Sequence, residues 1–291
     1  MTTPSTAPAP STAPIAVTGA TGQLGGRVAR LLAEANLPLR LLVREPGRAP
    51  QLPNATVHRA PYAEADAVTE ALAGVEIVFM VSASESEDRE AEHEEFVAAA
   101  ANAGVRHVVY TSFLGASPEA TFTLARTHAD TEVDLAASGM GYTFLQDSFY
   151  MAMARGVAGP DGVIRGPAGM GRCAFVAHRD IARTAAHILR DPTPHQGRAY
   201  RLTGPEALTF EDVARTITEV EGRPVRFQDE TVEEAYESRK AWNPPPWQAD
   251  AWVSTYTAIA AGELDVVSGD IEQVTGTAPV DFRTFLRTRR G

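Results

Sequence analysis

The sequence predicts an α/β fold built on a doubly wound parallel sheet. Three observations carry that reading. Short β-rich runs alternate with helical patterns through the first half of the chain, and strand, helix, strand repeated in this way means parallel pairing with right-handed crossovers. The run VEIVFMVS at 75–82 is apolar almost throughout, as befits a strand covered on both faces. The stretch IAVTGATGQLGG at 15–26 passes from a strand straight into Gly19, Gly22 and Gly25, spaced three apart where a helix begins.

The elements follow in order. IAVTG opens the sheet, and residues 24–35 put Leu24, Val28, Leu31, Leu32 and Ala35 on one helical face. PLRLLVR (38–44) and ATVHRA (55–60) read as the second and third strands, with a helix over roughly 64–73. After the fourth strand comes the polar segment SASESEDREAEHE, which leads into the helix EEFVAAAANAG. VRHVVYTS (105–112) is the fifth strand, a helix spans about 123–138, and GYTFLQ (141–146) is the sixth strand. Residues 163–200 read as a loop and then a helix from about Asp180, which is expected to cap it. YRLTGPEALTFEDVARTITEVEGRPVRF holds a strand, a helix capped by Thr209 and another strand. Residues 232–262 are helical, broken by NPPPW.

Three segments result. Residues 1–14, MTTPSTAPAPSTAP, bury too little to order themselves and read as a flexible tail. Residues 15–150 form the Rossmann domain. Residues 151–291 form a smaller mixed α/β lobe, interleaved with the first, that closes over the site.

Composition narrows the function. The 291 residues carry a net charge of -11, which repels phosphate backbones and anionic lipid, so nucleic acid and membranes are not expected partners. Lys240 is the only lysine, which removes lysine chemistry elsewhere. Cys173 is the only cysteine, so neither an internal disulfide nor a cysteine metal site is expected. With no secretion signal, the cytoplasm is the expected setting. The acidic run at 84–95, from Glu85, Glu87 and Asp88 through His93 to Glu95, lacks ligand spacing and reads as a solvated helix start rather than a metal site.

The glycine spacing has a physical reason. A tight turn, a close backbone approach and close helix packing each exclude a Cβ, and the free amides of the helix start suit a pyrophosphate. In such folds the ligand lies at the carboxyl ends of the strands. Residues Gly19–Leu24, Arg44, Ser82–Ser84, Thr111–Phe113 and Gln146–Tyr150 should therefore surround one site. The second strand ends Leu42-Val43-Arg44-Glu45. A guanidinium there suits a 2′-phosphate, which favours NADPH. Glu45, able to bond a ribose hydroxyl, keeps NADH open.

TGATGQLGGRVARLL, LLVREP, AGVRHVVYTSF, THADTEVDLAASGMGYTFL and STYTAIAAGEL together resemble the NmrA-like, quinone-oxidoreductase-like branch of the atypical short-chain dehydrogenase/reductases. The resemblance runs over nearly the whole chain after the tail. It implies NADP(H) bound through Gly19, Thr21, Gly22, Gln23, Leu24 and Arg44. It also implies Ser82, Thr111, Ser112 and Phe113 near the ribose and nicotinamide. This sequence departs from the family pattern twice. Pro61-Tyr62 stands where many relatives carry an acidic residue near the adenine, and Gln146 stands where many carry an Arg.

Ordinary short-chain dehydrogenases use Tyr-x-x-x-Lys, in which the lysine lowers the tyrosine pKa for proton transfer. Here those positions hold Leu124 and His128. His128 is expected to contact the nicotinamide ribose or to donate a proton as imidazolium, with Glu132 orienting it or pairing with it along the helix. Tyr150 is the second candidate acid. Phe113, Gln146, Phe149 and Tyr150, with Trp242, Trp247 and Tyr256 from the second lobe, are expected to wall a pocket for a flat substrate, while Trp252 reads as core. Ser112 lacks His-Asp partners in evident order, which excludes a hydrolase. A hydride acceptor needing little acid help, such as a quinone or another conjugated carbonyl compound, fits best. Two other readings stand beside it: a redox sensor that binds NADP(H) and signals through a protein partner, and an enzyme of one specialised metabolite on the same fold.

Overall fold

The computed structural model describes residues 13–288; residues 1–12, most of the expected tail, lie outside them. The first half runs β1 (Ile15–Thr18), α1 (Gln23–Glu34), β2 (Leu39–Val43), β3 (Ala55–Arg59), α2 (Ala65–Leu72), β4 (Ile77–Met80), α3 (Arg89–Asn102), β5 (His107–Phe113), α4 (Thr123–Ala137) and β6 (Gly141–Asp147). The second half runs α5 (Met151–Gly156), β7 (Val163–Gly166), α6 (His178–Arg190), β8 (Arg198–Leu202), α7 (Phe210–Glu221), β9 (Arg226–Asp229), α8 (Val232–Arg239), α9 (Pro246–Ala260), α10 (Asp270–Thr275) and α11 (Phe282–Arg287).

Seven strands form one sheet in the order β3-β2-β1-β4-β5-β6-β8, all paired in parallel. This is the doubly wound fold the alternation predicts. The order reverses between β1 and β4, which opens a crevice beyond their carboxyl ends. Ile15 pairs with Leu39 on one side and Ile77 on the other, so β1 is central. Its four residues are all buried, because helices cover both faces. One face packs α1 and α6 through Val17, Val28, Leu32, Phe79, Ile181 and Leu189. The other packs α2, α3 and α4 through Val68, Leu72, Val78, Phe96, Tyr110 and Leu135. β2 and β3 are joined by a single 3-10 turn, Pro46–Arg48, instead of a helix, and β3 remains largely exposed at the sheet edge.

The chain returns to this sheet after residue 151. β8 pairs with β6, and α6 packs on the α1 face. The smaller lobe is what remains: the two-stranded parallel sheet β7–β9 with α5, α7, α8, α9 and α11. Its core gathers Phe175, Phe210, Ile217, Tyr256, Ile259 and Phe282. β7 stands where the sequence reads as loop, since four residues are too few for a period to register. The helix placed near Asp180 starts at His178 with Ala177 as N-cap. Asp180 does not cap it: its carboxylate accepts from Arg183 at 2.9 Å and from the Val280 amide at 2.9 Å. Thr209 does cap α7, in a reciprocal capping box with Asp212.

Candidate active site

The glycine turn behaves as its spacing requires. Gly19 sits at φ +60, in the left-handed region. A Cβ on Gly25 would come within 2.5 Å of the Gly19 and Thr18 carbonyl oxygens. α1 therefore starts hard against the end of β1. Its N-cap is Gly22, and no side chain caps the first-turn amides. A backbone cradle without side chains, at a helix start, fits an anionic pyrophosphate group.

A hydrogen-bonded triangle holds this turn in place. The Val81 amide donates to Thr18 Oγ1 at 2.8 Å, and the Tyr62 hydroxyl donates to the Val81 carbonyl at 2.6 Å. The Tyr62 proton is thus committed, so Thr18 donates to Tyr62 Oη, 2.6 Å away. Tyr62 stacks on Phe96 with centroids 4.4 Å apart, and its burial raises the pKa of the phenol. The departure at Pro61-Tyr62 thus ties the loop after β3 to β1 and β4.

Two cavities meet here. The first, about 300 Å³, is lined by Gly19, Thr21, Gly22, Arg44, Tyr62, Ser82 and Glu85, among others. The second, about 280 Å³, is lined by Ser82, Glu85, Arg89, Phe113, Phe122, Leu124, His128, Phe149 and Tyr150, among others. They share Ser82, Ala83, Ser84 and Glu85. One cleft therefore runs from the glycine turn, past the end of β4, to an aromatic wall. A larger groove, about 710 Å³, lies between α1, α6 and residues 277–284. It touches no strand end, so the crevice at the switch point is the candidate site despite its smaller volume.

At the first end, Arg44 is exposed on the cleft, while Glu45 turns away to Arg48 at 3.5 Å. Gln23 and Leu24 form the first turn of α1; Leu24 is buried in the core rather than on the cleft. At the other end, Phe113, Phe122 and Phe149 form a triangle with centroids 4.9, 4.9 and 5.1 Å apart. Phe122 is a wall residue that the sequence reading missed.

The expected residues divide by strand parity. Thr111 accepts from the Ser82 amide at 2.8 Å; Ser82 lines both cavities and Thr111 lines neither. Ser112 points the opposite way, donating to Glu132 Oε1 at 2.5 Å. Gln146 donates to the same oxygen at 3.1 Å and so faces α4, not the pocket. Glu132 is thereby committed to Ser112 and Gln146, and it neither pairs with nor orients His128. Tyr256 is buried under Phe210, with the Arg239 guanidinium 5.1 Å from its ring centroid; it is core. Trp252 is not core: its indole N–H donates to Glu85 Oε2 at 3.3 Å, beside Gln248 at 3.2 Å. α9 thus reaches the cleft rim through Trp252 and Gln248. Trp242 is exposed, edge-on to Trp252 at 6.5 Å, and Trp247 is half-buried in the first turn of α9; neither lines the cleft.

His128 is buried beside the cleft with both ring nitrogens engaged. Arg89 Nη2 lies 2.8 Å from Nε2, and Tyr110 Oη lies 2.8 Å from Nδ1. Arginine only donates, so Nε2 accepts and Nδ1 carries the proton. Burial, with the Arg89 charge beside it, holds the ring far below the ordinary imidazole range. His128 is therefore neutral near pH 7, has no nitrogen free for a ribose, and is no imidazolium donor.

Arg89 and His93 lie inside the run that reads as a solvated helix start. Both are buried. The Ala83 amide donates to His93 Nε2 at 2.8 Å, and His93 Nδ1 meets Thr131 Oγ1 at 2.8 Å. Arg89 also donates to the Ala83 carbonyl at 3.1 Å and to Thr127 Oγ1. Among the described residues it has no carboxylate partner. No sequence signal marks it, since a single arginine among acids has no period.

The fold and this cleft define a Rossmann-type α/β protein whose ligand crevice lies at the switch point of its sheet. The chain belongs to the NmrA-like family, whose model matches residues 11–243. It is 33% identical over 278 residues to an NAD(P)H azoreductase of Xenophilus azovorans, covering 94% of this chain and 96% of that one. The NADPH-dependent quinone oxidoreductase of Escherichia coli, solved with NADPH, superposes with a TM-score of 0.85 at 31% identity, covering 94% of this chain and 98% of that one. The triphenylmethane reductase of Citrobacter sp., solved with NADP(H), gives 0.82 at 29% identity, covering 93% and 98%. Among the described residues no helix is long and apolar enough to cross a membrane.

Proposed function

We propose that this protein is an NADPH-dependent reductase of flat, conjugated acceptors, quinones and azo compounds foremost. One observation carries the reading: the continuous cleft that joins an uncapped glycine turn, with Arg44 at its mouth, to the Phe113, Phe122 and Phe149 wall. The relatives named above act as reductases, which supports it.

NADPH, when bound, supplies the hydride. The amides at the start of α1, with Gly19, Thr21, Gly22 and Gln23, would hold the pyrophosphate. Arg44 would bind the 2′-phosphate through charge-assisted hydrogen bonds. Ser82 and the segment through Glu85 span the two ends of the cleft. The aromatic wall offers a face on which a flat acceptor stacks and orients. Arg89, which lines the cavity and hydrogen-bonds to no carboxylate among the described residues, would set positive charge near an acceptor on which negative charge develops. Leu124 and His128 replace the Tyr-x-x-x-Lys pair, so α4 supplies no lysine-assisted acid, which favours acceptors that delocalise the charge. The lobe after residue 151 supplies the rim through Trp252 and Gln248.

The test is oxidation of NADPH by purified protein with a panel of quinones, azo dyes, enones and cationic triarylmethane dyes. Turnover well above the protein-free rate on at least one class is the expected result. Tight NADPH binding with no turnover on any class would instead favour a sensor acting through a protein partner.

A further inference from the structure

We infer that Tyr150 and Asp147 form a two-member proton relay at the cleft wall, which protonates neutral acceptors as they receive hydride. The inference rests on the reductase reading and names its proton source.

Tyr150 lines the second cavity with Phe113 and Phe149. Its hydroxyl lies 3.4 Å from Asp147 Oδ2, and its ring packs on His178 at 4.2 Å. Asp147, the last residue of β6, is 1% exposed. Its other oxygen, Oδ1, is buried with no hydrogen-bond partner among the described residues. No cation pairs with Asp147 there either.

An ionised carboxylate in that position would lack compensation on one oxygen and have a single, long hydrogen bond on the other. That is costly, and burial accordingly drives the Asp147 carboxyl well above the usual carboxylate range. The neutral acid is the form that this unpartnered, buried setting favours. As it stands, the Tyr150 hydroxyl donates to Asp147 Oδ2. A protonated Asp147 has a proton of its own to give, so the bond reverses when Tyr150, which lines the cavity, passes its proton to the acceptor.

The step balances. A neutral acceptor receives a hydride and becomes an anion on oxygen or nitrogen. The Tyr150 O–H bond breaks as its proton bonds to that atom. The Asp147 O–H bond breaks as its proton restores the phenol; once the product has left, cleft water protonates Tyr150 Oη as the Tyr150 proton returns to Asp147. Without the second member, a phenol whose acidity burial suppresses would be left as a phenolate. The pair therefore does what the absent lysine does elsewhere, by a neutral acid in place of a cation.

The chemistry of the acceptor supplies the test. A quinone or an azo bond needs a hydride and a proton. A cationic triarylmethane dye needs hydride alone, since the product is already neutral. Turnover of a quinone and of such a dye is compared in the wild type, Tyr150→Phe and Asp147→Asn, with NADPH affinity measured by fluorescence titration to report folding. The expected result is that the ratio of quinone kcat to dye kcat falls about 100-fold in Tyr150→Phe, the scale of a lost general acid, and at least about 10-fold in Asp147→Asn. An unchanged ratio in both variants overturns the relay while leaving the reductase intact. A wild type that turns over neither acceptor overturns the reductase reading, and the relay with it.

Discussion

Arg89 and His128 share a 2.8 Å hydrogen bond in the protein interior, guanidinium Nη2 to imidazole Nε2. The bond joins the start of α3 to the middle of α4 and fixes the histidine as the neutral Nδ1–H tautomer. It also anchors at the cleft wall a guanidinium that, among the described residues, hydrogen-bonds to no carboxylate.

Replacing Arg89 by Met should therefore act twice. It leaves His128 Nε2 and the Ala83 carbonyl without their donor, which should cost about 2–4 kcal/mol. It also removes the positive charge facing the acceptor, so kcat on a quinone should fall more than NADPH affinity does. Urea unfolding and steady-state kinetics report the two effects separately. A variant as stable and as active as the wild type would show that the guanidinium is only a filler.

Arg44 is exposed at the mouth of the cleft, and Glu45 lies 3.5 Å from Arg48. Arg44→Ala should raise the Kd for NADPH about 10- to 100-fold, the range of charge-assisted contacts to a phosphate, and change that for NADH less than about threefold. Equal losses for both cofactors would place the 2′-phosphate elsewhere.

Gly25→Ala puts a methyl group against two backbone oxygens that cannot move without opening the turn. About 1–3 kcal/mol of stability should be lost, together with most dinucleotide affinity. Gly47→Ala, whose added Cβ meets nothing within 4 Å, is the matched control and should change neither by more than the error of thermal melting and titration.

Stability should fall as the solution is acidified below neutral. Burial pushes His93 down to about 3, and His107 and His178 down to about 4. Each stays neutral in the folded chain where the unfolded chain, with imidazoles near 6.5, takes up a proton. The contribution is complete above pH 6.5 and is lost going down toward those depressed values, at about 1.4 kcal/mol per pH unit per histidine. Asp147, Glu132 and Asp134 oppose this, because burial raises each carboxyl and makes the folded chain the one that holds the proton. The urea midpoint should drop between pH 7 and pH 5, and His93→Gln should make the drop shallower. A midpoint that rises over that range would contradict the burial of these rings.

The sequence by itself determined the sheet and the glycine turn, and it pointed to Arg44 at the cleft mouth. β1, the glycines and Arg44 are legible because each obeys a local rule: a strand period, a backbone conformation, a fixed offset from a strand end. The NmrA-like family was legible for the same reason. Only the tertiary structure decided which side chains share the acceptor end. Parity sent Ser112 and Gln146 to Glu132 on the far face, and packing buried Tyr256 while leaving Trp252 at the rim. Arg89 and His93 hid in an acidic run because their partners, Thr127, His128 and Thr131, lie over thirty residues away. The raised pKa of the Asp147 carboxyl comes from burial that no neighbour in sequence reveals. Hydrogen bonds and desolvation depend on what surrounds a side chain, and for these groups the surroundings come from distant parts of the chain.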